Sequence, residues 1–166
     1  QLHIIDALAV DASRIAELAA SEPTSLMAGR ENLFEIMDTY GLTIRGTQQS
    51  EFPKQVGSAG PMNLHIFPLL KGLAADGRET AAPAVLIEHT KGDFTGGRWI
   101  LINQPLTDRF WVNGGAEALA EWTAFCSLGV TEVWLKPGFG SYEPGEKATL
   151  TLQAQTLGRA KAGALD

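Results

Sequence analysis

The side chains with most chemical scope in this 166-residue chain are three histidines, one cysteine and 19 acidic residues, and their spacing decides what they can do together. A transition metal needs three or four donors at one point, yet His3, His65 and His89 form no His-x-x-x-His or Cys-x-x-Cys pattern. No metal site is expected. Glu88 and His89 are adjacent titratable groups on a predicted strand, where neighbours point to opposite faces, so they are expected to diverge rather than share a substrate. Cys126 could act as a thiolate nucleophile beside a histidine. Lying between Phe125 and Leu128 near the end of an apolar helix, it reads instead as a small buried hydrophobe. Gly140-Ser141-Tyr142 does not continue to the second glycine of a hydrolase nucleophile elbow. No catalytic residue and no cofactor is predicted.

Binding features are weaker but present. Gly138-Phe139-Gly140 lacks the further glycine and lysine of a phosphate loop, while Asn113-Gly114-Gly115 opens a predicted helix whose free amides could face an anion. Turn formation accounts for both clusters. Trp99, Phe110, Trp111, Trp122 and Trp134 all fall in the carboxyl-terminal half. Trp99 and Trp122 are expected in the core, as tryptophans on strands and helices usually are. Phe94, Trp111 and Phe139 adjoin turn residues, where a large aromatic is either tucked under its loop or held out to a ligand or partner. These three, with Asn113, Gly114 and Gly115, are the candidate contact residues.

The elements that would position them follow from periodicity and punctuation. From Ile4 to Ala20, the residues Ile5, Leu8, Ala12, Ile15, Ala16 and Ala19 recur at helical spacing and predict an amphipathic helix. Pro23 interrupts it, and Thr24 or Ser25 can cap a second helix carrying Leu26, Leu33, Ile36, Met37 and Tyr40, with Gly41 at its end. A helical hairpin is expected there. Leu42-Thr43-Ile44-Arg45 suits a short strand, residues 48–60 a loop, and Pro68 the first turn of another helix. Ala84–Thr90 and Arg98–Gln104 flank a glycine-rich connection and predict a β-hairpin. A helix is predicted from Asn113 to Ser127, ending before Gly129, then strands Thr131–Lys136 and Lys147–Gln155 around a Pro/Gly-rich turn. The tail from 158 to 166 is expected to fray. The predicted fold is α+β: one domain over 1–166, with a single antiparallel sheet of about five strands and helices packed on one face, preceded by the helical hairpin.

Composition bounds the partners. Hydrophobic residues at 45% and charged residues at 19% fit a chain that folds around its own core. A net charge of −6 and scattered basic residues argue against nucleic acid. No apolar run approaches the roughly 20 residues needed to span a bilayer as a helix. The lone cysteine excludes an internal disulfide without fixing the compartment. The chain begins at Gln1 rather than Met, so a processed product or excised ectodomain is among the expectations.

The amino-terminal helix, the second helix ending in Tyr40-Gly41, the strand Leu42-Thr43-Ile44-Arg45 and the later Gly97-Arg98-Trp99-Ile100-Leu101-Ile102 together resemble extracytoplasmic sensor domains of bacterial two-component histidine kinases. The resemblance implies a non-catalytic recognition domain, in the periplasm or otherwise outside the cytoplasm, that binds a small ligand or a protein. A rival reading from another class is an assembly subunit of a phage virion or secretion apparatus, in the virion or cytoplasm, engaging neighbours or copies of itself. Pro144-Gly145-Glu146-Lys147, followed by the alternation Ala148-Thr149-Leu150-Thr151-Leu152, favours that rival. An enzyme whose site is assembled from residues distant in sequence is the third.

Overall fold

A computed structural model describes residues 3–21, 26–45 and 64–157. Eight strands and two α-helices lie among them: β1 (His3–Val10), β2 (Glu17–Ala20), β3 (Thr39–Arg45), β4 (Leu64–Leu73), β5 (Glu79–His89), β6 (Arg98–Ile102), α1 (Asp108–Val112), α2 (Gly115–Ser127), β7 (Val130–Pro137) and β8 (Leu150–Leu157). The strands form three antiparallel sheets rather than one. β1 pairs with β3, β2-β4-β5-β6 make a four-stranded sheet, and β7 pairs with β8. The class is α+β, but the single sheet and the helical hairpin are corrected.

The hairpin fails at Asp11. Its carboxylate accepts the Ser13 amide at 2.8 Å and caps a single 3-10 turn over Ala12–Arg14, so the run read as one helix is two strands joined by a turn. Asp38 holds the same turn by accepting the Ala12 amide. The run pairs instead as strands, β1 with β3 and β2 with β4, partners that lie far off in sequence, and of the residues at helical spacing Ile15 is buried while Leu8 is exposed. The second helix shrinks to a 3-10 turn over Glu31–Leu33, and Gly41 lies inside β3 opposite Leu8. Pro68 does not start a helix either. It sits in β4 opposite Val85, beyond the short stretch Leu70–Leu73 that pairs with β2 among the described residues. The loop predicted over 48–60 and the tail over 158–166 lie outside the described residues.

The later elements agree in kind with the prediction, though β5 begins earlier at Glu79, β8 spans Leu150–Leu157 rather than Lys147–Gln155, and α1 had no predicted counterpart. The β5–β6 hairpin turns through Gly92 and Gly96, both at positive φ. Helix α2 ends at Gly129, whose φ of 78° is the left-handed terminator the sequence suggested.

Alternation along β5 splits the core into two layers. Ala84 and Leu86 face Phe110, Ala118 and Trp122 from the helices, and Met27, Leu33 and Phe34 complete that layer. Val85 and Ile87 face the other way with Leu64, supported by Ile66 and Leu101. Trp122 also donates its indole N–H to the Leu26 carbonyl at 2.9 Å, tying the 26–36 segment to α2. On the helix side of the hairpin, Glu88 and Arg98 are cross-strand partners at 2.7 Å, both nearly covered, and the guanidinium lies 4.1 Å from the Phe125 ring centroid. Glu88→Ala leaves that guanidinium covered and unpaired. It is expected to lower unfolding free energy by about 2–4 kcal/mol in urea titrations, while Glu88→Leu combined with Arg98→Met recovers most of the loss.

Candidate functional site

The strand geometry separates Glu88 from His89, as alternation requires: the carboxylate goes to Arg98 under α2 and the imidazole to the opposite face. There His89 is 3% exposed, with its ring centroid 4.5 Å from Trp99 and 5.4 Å from Phe94. Phe94 and Trp99 meet edge to face at 5.1 Å, closing an aromatic cluster beneath the β5–β6 turn. Its position is set by backbone pairing, since His89 donates to the Gly97 carbonyl and accepts from the Gly96 amide. Nε2 of His89 is buried without a hydrogen-bond partner. Burial therefore holds this imidazole below its ordinary value of 6.5, in the neutral form. Trp99, expected in the core, is partly exposed on this face, whereas Trp122 is buried as expected.

Trp111, Asn113, Gly114 and Gly115 come together at the junction of α1 and α2. Trp111 projects to solvent after an edge-on contact with Phe110 at 5.1 Å. The Asn113 side chain donates to the Asn32 carbonyl at 3.3 Å, and Gly114 takes φ 95° to reverse the chain between the helices. Gly115 is fixed by packing: a Cβ there would lie 2.3 Å from the Phe110 ring and 2.5 Å from the Phe110 carbonyl oxygen. The acidic Glu117 occupies the first turn of α2, where it opposes an anion at the helix amides. Turn and packing demands account for both glycines.

Phe139 is elsewhere again, at the tip of the β7–β8 ribbon, 71% exposed and edge-on to Tyr142 at 5.9 Å. The tip is locally ordered by the Tyr142 hydroxyl, which takes the Phe139 amide at 3.1 Å and donates to the Thr149 carbonyl at 3.3 Å. Among the described residues no ring contact links Phe94, Trp111 and Phe139 to one another, so the candidate aromatics belong to three separate places.

What sequence reasoning missed is not the strand pair that carries Phe139 but how exposed it stands. β7 and β8 pair over eight residues each, from Val130↔Leu157 to Pro137↔Leu150, and contact little besides each other. Residues opposite one another share a face. One face therefore holds Val133, Leu135, Leu150, Leu152 and Ala154, and the other Glu132, Trp134, Lys136, Gln153 and Gln155. On the first face Val133, Leu135, Leu150 and Leu152 are between 55% and 67% exposed, although strand alternation of this kind normally marks a half-buried sheet. Only Val130, at the base, is fully buried.

Other concavities are shallow. Two open depressions of about 340 and 440 Å³ lie beside β4–β5 and beside the 31–36 segment. No group of three or more His, Cys, Asp or Glu side chains converges among the described residues, and no helix among them is long and apolar enough to cross a membrane. The Cys126 thiol is pushed up by burial, away from the thiolate form. No protein-family model, curated protein or solved structure matches this chain.

Two expectations follow. The unfolded chain binds a proton at His89 near pH 6.5 that the folded chain refuses. Stability is accordingly full above that pH and falls as pH drops below it, until the folded-state value is reached. Thermal midpoints recorded from about pH 8 to about pH 5 should show that decline, with a shallower slope in His89→Leu. Gly115→Ala is expected to destabilise by about 2–3 kcal/mol through its clash with Phe110; an unchanged urea midpoint would show that the α1–α2 junction is not packed this tightly.

Proposed function

We infer that the protein is a non-catalytic assembly subunit that engages other protein through the β7–β8 ribbon, as a component of a larger structure such as a virion or secretion apparatus. The observation that carries this reading is the ribbon's bare apolar face. An aliphatic side chain gains on the order of 1.5–3 kcal/mol when fully buried, and four of them are held in register on an arm that the body leaves uncovered. Such a surface, presented by ordered backbone and flanked by polar residues, suits a protein–protein contact.

Ligand sensing would call for an enclosed pocket with a few convergent polar groups, a description that neither open depression fits. The two amino-terminal helices behind the resemblance to sensor domains are strands and 3-10 turns. Recognition by surface contact is the part of that expectation which the ribbon supports.

A photo-crosslinking side chain placed at Leu152, in the cells that make the protein, should trap protein adducts. The same group at Glu117, exposed on α2, should trap none. Uncrosslinked chain at both positions overturns the assembly reading.

A further inference from the structure

The edges of the three sheets are not equally guarded. An exposed strand edge offers unpaired N–H and C=O groups to any other strand, and proteins that stay monomeric blunt such edges with charge, proline, bulges, short strands or a covering helix. Nearly every edge here has one of these. β2 is four residues long, and β1 is broken by a bulge between Ile4 and Asp6. β6 lies under α2, where Arg98 reaches the Phe125 carbonyl at 3.4 Å. β7 carries Glu132, Lys136 and Pro137.

β8 has none. Leu150-Thr151-Leu152-Gln153-Ala154-Gln155-Thr156-Leu157 contains no charge, no proline and no glycine, and residues 150–156 are all exposed. Its pairing with β7 runs without a register shift, and among the described residues its outer edge has no strand partner. At about 3.4 Å per residue this edge is about 27 Å long.

We propose that the outer edge of β8 pairs antiparallel with β8 of a second copy of this chain, making a two-fold dimer through a continuous four-stranded ribbon. The charge pattern selects this occupant. Each copy carries a net charge of −6, so two copies repel wherever their acidic surfaces meet. A strand without charge is a place where they can meet without that repulsion, whereas a partner chosen for this acidic chain by electrostatics would find nothing on β8 to pair with. Self-pairing also has a register that works. Centred on Ala154, it sets Gln153 of one copy opposite Gln155 of the other and keeps both apolar faces on the same side. The Gln pairs lie on the polar face, where side-chain amides can bond across the strands. Because the strands run in opposite directions, the tip of each ribbon, with Phe139, reaches the base of the other, where Leu128 is exposed.

This proposal rests on the reading of the ribbon as the contact element, but it fails separately. The test is the mass of the purified chain by light scattering over a roughly hundredfold range of concentration, for three proteins. The unaltered chain is expected to form a dimer that dissociates on dilution. Gln153→Lys with Gln155→Lys places like charges opposite one another across the two-fold axis and should give monomer. Gln153→Glu with Gln155→Lys places opposite charges in the same pairs, sets the new cation opposite Glu132 of its own ribbon and should restore the dimer, which also shows that charge at 153 and 155 does not unfold the ribbon. A chain monomeric at every concentration, an assembly larger than a dimer, or a dimer indifferent to the lysine pair overturns the proposal. If the chain is monomeric while crosslinks from Leu152 reach a different protein, self-pairing is wrong and the assembly reading stands.

Discussion

Burial of β5 on both faces is the constraint from which the body of this protein follows. A strand covered on one side only can alternate apolar with polar residues, but Ala84 to Ile87 are all buried, so each face needs its own cover. The helices, with the segment 26–36, supply one layer. Leu64, Ile66 and Leu101 from the neighbouring strands extend the other, and β3 passes close to β5. Asn103, just after β6, binds these parts together: its amide donates to the Pro83 carbonyl at 2.9 Å, and its side chain takes the Thr39 hydroxyl at 2.7 Å while donating to the Tyr40 carbonyl at 2.8 Å. A buried strand also fixes where chemistry can go. By sending Glu88 and His89 to opposite layers, β5 removes the one adjacent carboxylate–histidine pair from any common site.

The same constraint explains why the ribbon stands apart. The four-stranded sheet is already covered on its helix face, and α2 meets β6, where the Phe125 carbonyl accepts from Arg98; β7 leaves the end of α2 without joining that sheet. Its apolar residues are consequently paired only with those of β8. A ribbon of two strands is at best marginal by itself, which puts weight on the interactions that close it: the Tyr142 hydroxyl at the tip, the turn with Gly145 at φ 93°, and Val130 anchored at the base. The arm is thus ordered at both ends and bare along its length.

How much of this was legible in the sequence depends on how local the deciding interactions are. The β5–β6 hairpin, α2 with its Gly129 stop and the β7–β8 pair were all readable, because each is punctuated by glycines at positive φ and pairs with its immediate neighbour. The amino-terminal strands were not. Their apolar spacing fits a helix, and the competing arrangement depends on β3 and β4, partners that no short window contains. The one local sign was Asp11-Ala12-Ser13, a capped turn in the middle of an apparent helix. Among the candidate contact residues, Phe94, Trp111 and Phe139 adjoin turns, where the sequence allows an aromatic either to tuck under its loop or to stand out, and all three are exposed. That they lie in three separate places was beyond reach, since it depends on the arrangement of sheets.

The hardest feature to read was the most informative one. Val133, Leu135, Leu150 and Leu152 alternate as a half-buried strand pair should, and alternation says only that one face avoids water, not what covers it. In the body the cover comes from the chain itself. On the ribbon the alternation is as regular, yet Val133, Leu135, Leu150 and Leu152 stay exposed and no element among the described residues packs over them. Strands that face water are usually polar with guarded edges, and β7 carries Glu132 and Lys136 on its polar face. β8 departs from that practice on both counts, with an apolar face and an uncharged edge.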